Sequence, residues 1–230
     1  MSRLIAALLI ATAMPTFAHP PRPASDIAFD TARHPAELAA FAGIGKGKVV
    51  ADFIPGEGYF TRVFSYAVEP GGRVIAVVPE GAARLNPAAA GKISELAADA
   101  SYGNVSMSSA ITPDASLDVV WTAQNYHDLH NALPPEGVAG FNRLVFAALK
   151  VGGVFVVVDH SAVAGSGLTA TKSLHRIEAE TLKAEILAAG FVFDGESRLL
   201  ANPADDRSKS VFDPVVRGKT DQFAFRFKKP

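Results

Sequence analysis

KVVADFIPGEGYFTRVFSYAVEPGGRVIAVVPE, residues 48–80, is the stretch whose reading decides the fold. A short apolar run at 49–53 carries an acid, Asp52, near its end, and a Pro-Gly-Glu-Gly turn follows at 55–58. Phe60, Val63, Phe64 and Ala67 then fall at i, i+3, i+4 and i+7, one face of a helix. Pro70, Gly71 and Gly72 break the chain before a β-branched run, 74–78, which leads to Glu80. The pattern predicts a strand–glycine loop–helix–strand unit, the framework of a doubly wound sheet. Without a Cβ, Gly56 and Gly58 let the backbone bend sharply and approach a ligand closely. The helix that opens there offers N–H groups with no intrahelical partner. A carboxylate near the end of the next strand suits ribose hydroxyls. A tight turn that binds nothing uses the same glycines, so spacing alone leaves both readings open.

The run D-x-x-P-G-x-G-Y-F, from Asp52 to Phe60, resembles the first motif of class I S-adenosylmethionine-dependent methyltransferases. It departs from the commoner D-x-G-x-G-x-G form, because Ile54 stands at the first glycine. It fits the dinucleotide G-x-G-x-x-G less well, since Thr61 replaces the third glycine, and a nicotinamide-dependent oxidoreductase is disfavoured accordingly. Val78 falls where that family carries its second-strand acid, and Glu80 comes two residues later. The region after the weak strand at 105–107 is Ser108-Ser109-Ala110, without the acid that many such enzymes place near adenine. A second match is L-K-x-G-G at 149–153 before a valine-rich strand, which resembles the family's fifth-strand entry, the glycines ending the preceding helix in left-handed geometry.

The resemblance spans roughly residue 35 to the end, closest to small exported bacterial methyltransferase-like proteins of unassigned substrate. It implies an α/β, Rossmann-like fold: a seven-stranded mixed sheet with helices on both faces and the last strand antiparallel. It also implies S-adenosylmethionine as cofactor, held by Asp52, Pro55, Gly56, Gly58 and Glu80, with methyl transfer to a small molecule. A rival from another class is an exported, non-catalytic binding module that keeps this fold. Export away from the cytoplasmic cofactor pool, the missing glycine and the displaced acid speak for it.

The other informative stretch follows the strand at 117–122: Ala123-Gln124-Asn125-Tyr126-His127-Asp128-Leu129-His130. Ligands of open α/β sheets bind beyond the carboxyl ends of the strands where strand order reverses. If this strand neighbours the first, as in the family, the polar run borders the glycine loop. Asn125, Tyr126 and His127 are therefore the catalytic, substrate-side candidates, with His127 as the base. Each has a plainer reading: Asn125 as a helix cap, Tyr126 as packing, His127 as a core histidine. His127 and His130 at i and i+3 make half of a metal site, but no spaced acid or third histidine stands out, so no metal is expected.

Residues 1–18 read as an export signal: Arg3, an apolar run at 4–14, and a small-x-small site at Thr16-Phe17-Ala18. That run is too short for an ordinary transmembrane span, so no stable span is expected after cleavage and the mature chain is expected in the periplasm or outside the cell. Residues 19–34 are expected as an extended lead-in and 35–230 as one domain. Hydrophobic residues make up 49% of the chain, enough for a real core. A net charge of −1 without a basic stripe excludes the usual nucleic-acid footprint. With no cysteine there is no disulfide framework or thiolate chemistry. Further helices are expected at 88–100, 140–150 and 177–189, and a lid-like loop at 165–173. A long polar connection at 202–219 precedes the last strand, and its Arg207, Lys209 and Arg217 are read as solvated rather than as an anion site.

Overall fold

The computed structural model describes residues 19–230, so the expected leader lies outside the described residues. Three short helices come first, α1 (Ala24–Ile27), α2 (Asp30–Arg33) and α3 (Pro35–Phe41). The unit read from residues 48–80 forms as β1 (Val49–Phe53), α4 (Tyr59–Ala67) and β2 (Arg73–Val77). Next come α5 (Glu80–Leu85), α6 (Pro87–Ala98), β3 (Val105–Ser108), β4 (Leu117–Ala123), α7 (Tyr126–Ala132) and α8 (Pro135–Ala148). The chain closes with β5 (Leu149–His160), α9 (Thr171–Leu174), α10 (Ala179–Ala188), β6 (Val192–Ser197) and β7 (Gln222–Lys228).

The seven strands form one sheet in the order β3-β2-β1-β4-β5-β7-β6. All neighbours are parallel except that β7 runs antiparallel to both β5 and β6. Strand order therefore reverses between β1 and β4, where Asp52 pairs with Trp121. Side chains alternate across the sheet and divide the core in two. Val50, Val119, Trp121, Val156 and Val158 pack with Leu38 of α3 and Phe64 of α4. Phe53, Val120, Phe155 and Val157 face the other way, onto α7, α8 and α10. Gly72 is required by proximity: a Cβ there would lie 2.4 Å from the Val68 carbonyl and 2.6 Å from that of Lys48.

The structure corrects several local expectations. Residues 24–33 form two short helices joined by a turn rather than an extended lead-in, with Asp26 and Asp30 finding partners on α4. The helix before β5 ends at Ala148, not in a glycine cap: Leu149 is already extended and pairs with Leu117, while Gly152 takes the left-handed turn at φ 78°. The expected lid at 165–173 ends in α9. The long connection before β7 is tied down by a buried cation. Arg176 is fully buried, donating to both Asp205 oxygens at 2.8 and 3.2 Å and to the carbonyls of Ser161 and Lys209. Arg207 pairs with Asp221 at 2.9 Å.

Candidate functional site

A cleft of about 400 Å³ opens over the carboxyl ends of β1 and β4, at the reversal of strand order. Its floor is Asp52, Trp121 and Val158, and its rim is Ile54, Pro55, Gly56 and Glu57 on one side and Gln124 and Asn125 on the other. Helices α1 and α2 cover it with Ser25, Asp26, Phe29 and Arg33.

The glycine turn is built where the sequence places it. Gly56 has φ 57° and Gly58 φ 86°, the latter starting α4. Ile54, at the position of the missing first glycine, also takes a positive φ of 55°. A β-branched residue is costly there, so the bend is imposed by the surrounding structure rather than by the local sequence. Gln124 across the cleft is similar at φ 62°. The two glycines differ in what they free. A Cβ on Gly56 would meet open space, whereas one on Gly58 would lie 3.1–3.2 Å from Arg62, Ile93 and Leu96. Gly56 is thus the glycine at the cleft, and Gly58 lets α4 pack against α6.

Asp52 is buried, and burial pushes its carboxyl up to about 7 despite the hydrogen bond from Thr61 Oγ1 at 2.7 Å. Arg62 braces the turn and its cover together. It donates to both Asp26 oxygens at 2.7 and 2.9 Å and to the Glu57 carbonyl at 3.0 Å. Tyr59 donates to Asp30 at 2.7 Å, and the Arg33 guanidinium lies over the rings of Phe29 and Tyr59 at 4.9 and 4.5 Å. Burial lowers the pKa of Arg33, which makes no ion pair among the described residues. Trp121 keeps a buried Nε1–H without a hydrogen-bond partner.

Of the cofactor-side candidates, Asp52, Pro55 and Gly56 line the cleft. Glu80 does not: it starts α5, projects into solvent and pairs with Arg84 at 3.3 Å. The cleft wall takes no residue between Arg62 and Trp121, so neither β2 nor β3 contributes. Of the substrate-side candidates, Asn125 lines it, its amide donating to the carbonyls of Ile54 and Ala123 at 3.0 and 2.7 Å. Tyr126 points into the core instead, fully buried, accepting from Asn142 at 2.7 Å and donating to Glu185 at 3.0 Å. His127 turns toward the end of β5. Its Nδ1 is 2.7 Å from Asp159, which also accepts from the backbone N–H of His127 and of His160. Burial works against a charge on His127, but the Asp159 carboxylate outweighs it and raises the pKa.

Sequence reasoning missed the cover, Asp26, Phe29 and Arg33, and missed His175, whose Nδ1 lies 3.3 Å from His127 Nε2. The spacing of acid and arginine in residues 26–33 at helical intervals was the one available sign of the cover. Nothing local marks His175.

No protein-family model matches the sequence, and comparison with curated proteins finds no match. Its fold is shared with many solved structures. A SAM-dependent methyltransferase from Aquifex aeolicus superposes with a TM-score of 0.62 at 16% identity, over 88% of this chain and 93% of that one. The [4+2]-cyclase SpnF gives a TM-score of 0.63 at 17% identity, over 96% and 87%. A possible exported protein from Bordetella parapertussis gives 0.53 at 16% identity, over 88% and 68%. The chain therefore has the Rossmann-like methyltransferase fold, with the seven-stranded mixed sheet and antiparallel β7 expected of it. A cyclase on the same fold shows that the activity has to be argued from the site.

The site fits one end of S-adenosylmethionine well. The cleft volume lies in the ligand-pocket range of roughly 300–1,000 Å³. An unpaired guanidinium, a buried carboxylate and a glycine with open space beside it suit an amino-acid zwitterion. The ribose and adenine side, at β2 and β3, shows no matching acid on the cleft wall.

Proposed function

We propose that this protein binds S-adenosylmethionine and transfers its methyl group to a small-molecule acceptor. The observation that carries the reading is the β1–α4 turn, where Ile54 and Gly56 both hold positive φ at the rim of a cleft at the sheet's switch point. Asp52, Pro55 and Gly56 would hold the cofactor, Gly58 would set the turn, and Arg33 would meet the carboxylate. When bound, the cofactor supplies an electrophilic methyl on sulfur that needs no further activation. The chain's own work is then to orient and enclose. Helices α1 and α2 exclude water from the cleft, and Asn125 holds the β1 and β4 rims together beside the acceptor side. Supporting this reading are the fold relatives that carry methyltransferase names, among them one with bound S-adenosylhomocysteine.

Calorimetry of the purified protein with S-adenosylmethionine, S-adenosylhomocysteine and NAD tests the reading. Binding of the first two ahead of NAD is expected, and preference for NAD overturns it.

We also propose that the chain is exported and that residues 1–18 are removed. The leader-like composition of that segment supports this, as does the fold relative described as a possible exported protein. No helix among the described residues is long and apolar enough to cross a membrane. N-terminal sequencing of protein from fractionated cells should find His19 first; an intact Met1 on cytoplasmic protein excludes export.

A further inference from the structure

Near the start of α7, the adjacent His127 and Asp128 and the distant His175, which follows α9, turn their donor atoms toward one point. His127 Nε2 lies 3.3 Å from His175 Nδ1 and 3.4 Å from Asp128 Oδ1, and His175 Nδ1 lies 3.3 Å from Asp128 Oδ1. The triangle is nearly equilateral. An ion at about 2.0–2.1 Å from nitrogen or carboxylate oxygen, in tetrahedral geometry, separates its ligand atoms by about 3.3–3.4 Å. Octahedral neighbours at a similar bond length come closer, at about 3.0 Å. These edges match the tetrahedral case.

The surroundings match as well. Nδ1 of His127 lies 2.7 Å from Asp159, which turns its Nε2 toward the Asp128 carboxylate oxygen. A metal ion bound there would take the place of a proton shared between the two atoms. A carboxylate behind a ligating histidine, fixing its tautomer and orientation, is the usual support of a metal site. Asp159 is itself fully buried and held by two backbone N–H groups. Asn131 fixes the ligand Asp128 by donating to Oδ1 at 3.0 Å. His175 holds a left-handed backbone at φ 55°, an unfavourable conformation for histidine that aims its ring at the triangle. His127 is buried, while Asp128 and His175 are partly exposed, so the fourth position faces solvent.

We infer that His127, Asp128 and His175 form a binding site for a divalent first-row transition metal, with zinc the best geometric match. The open fourth position takes water or an oxygen donor of a substrate. This replaces the expectation of no metal: the third ligand is His175, and His130 belongs elsewhere, 3.0 Å from Glu185. It also makes His127 a ligand through Nε2 rather than a proton acceptor. The site stands apart from the methyl-transfer reading and does not rest on it.

The test uses the full mature chain, purified without a polyhistidine tag, stripped with chelator and titrated with zinc by calorimetry, with cobalt as a spectroscopic probe. One ion per chain is expected, and the cobalt form should show the strong visible bands of a tetrahedral site. His175→Asn and Asp128→Asn should each weaken binding by about 100-fold or more. Both residues are partly exposed, and asparagine tolerates the left-handed backbone at 175, so these variants keep the fold. Asp159→Asn, which removes no ligand, should weaken binding by about 10–100-fold. His130→Ala should leave it unchanged. Absence of zinc binding by the wild type overturns the proposal, as does undiminished binding by His175→Asn, which would put the ion elsewhere.

Discussion

The side-chain amide of Asn125 donates to the carbonyl oxygen of Ile54 at 3.0 Å, joining the ends of β4 and β1 across the mouth of the cleft. Ile54 and Gln124, the residue before Asn125, both hold positive φ. Two unfavourable backbone positions, each costing about 1–3 kcal/mol, thus meet at one hydrogen bond. Both lie on the rim where the ligand would enter. Strain kept in two places on one rim is the pattern of a preorganised site.

The two glycines of the turn should respond differently to substitution. Gly56→Ala should cost about 1–2 kcal/mol, from its left-handed backbone alone. Gly58→Ala carries the same strain plus about 1–3 kcal/mol of overpacking against Ile93 and Leu96. Gly56→Val, folded, should lose S-adenosylhomocysteine binding because its side chain enters the cleft. Urea denaturation and calorimetry separate the two effects, and equal stability losses at both positions would contradict this division.

The contribution of Asp52 to stability should fall as pH rises from about 4 to about 7, against an opposite contribution from His160, whose pKa burial lowers to about 4. Folded Asp52 keeps its proton to about 7, while the unfolded chain releases it near 3.8. Between these values the folded state binds more protons, so each step upward in pH favours unfolding, and the effect levels off above about 7. Its full size is on the order of 4 kcal/mol. Asp52→Asn should remove this contribution, read as the difference between wild-type and variant stability from pH 4 to 8. A difference that stays constant with pH would mean that Asp52 is ionised in the fold.

Arg33 is the cation available to a ligand carboxylate. Arg33→Ala should weaken S-adenosylhomocysteine binding by about 10–100-fold, the range of a charge-assisted hydrogen bond. Adenosine, which lacks the carboxylate, should bind wild type and variant alike. Equal loss for both ligands would mean that Arg33 only holds the cover in place.

Tyr126 serves the core rather than the reaction. Tyr126→Phe should cost about 1–3 kcal/mol, because Asn142 and Glu185 lose their partner, and should leave turnover intact. A turnover loss without a change in melting temperature would return Tyr126 to the site.

The sheet was largely legible because its signals are local. Valine runs and their punctuation set β1, β2, β4 and β5, and the glycines set the turn. Part of the cleft lining was legible for the same reason: Asp52 lies near the end of β1, and Gly56 and Asn125 come two or three residues after the ends of β1 and β4. What failed depends on closure between distant segments. Asp26 and Arg62 are 36 residues apart, and His127 and His175 are 48 apart, so no window of sequence holds either pair. Glu80 failed for a different reason. Pro79 turns the chain into α5 there, and the side chain leaves with the helix.

The buried Arg176–Asp205 pair has a consequence for proteolysis. A connection of this length with little regular structure is ordinarily the first place a protease cuts. Here Asp205 holds Arg176, and the backbone N–H groups of Asp221 and Arg207 close on its carboxylate at 2.7 and 3.0 Å. A protease needs an extended backbone in its groove. Extending this one means drawing a guanidinium and a carboxylate out of the interior together. Nicking beside Asp205 therefore waits on opening of that buried pair, whereas the exposed stretch around Phe212 and Val215 lies outside its hold.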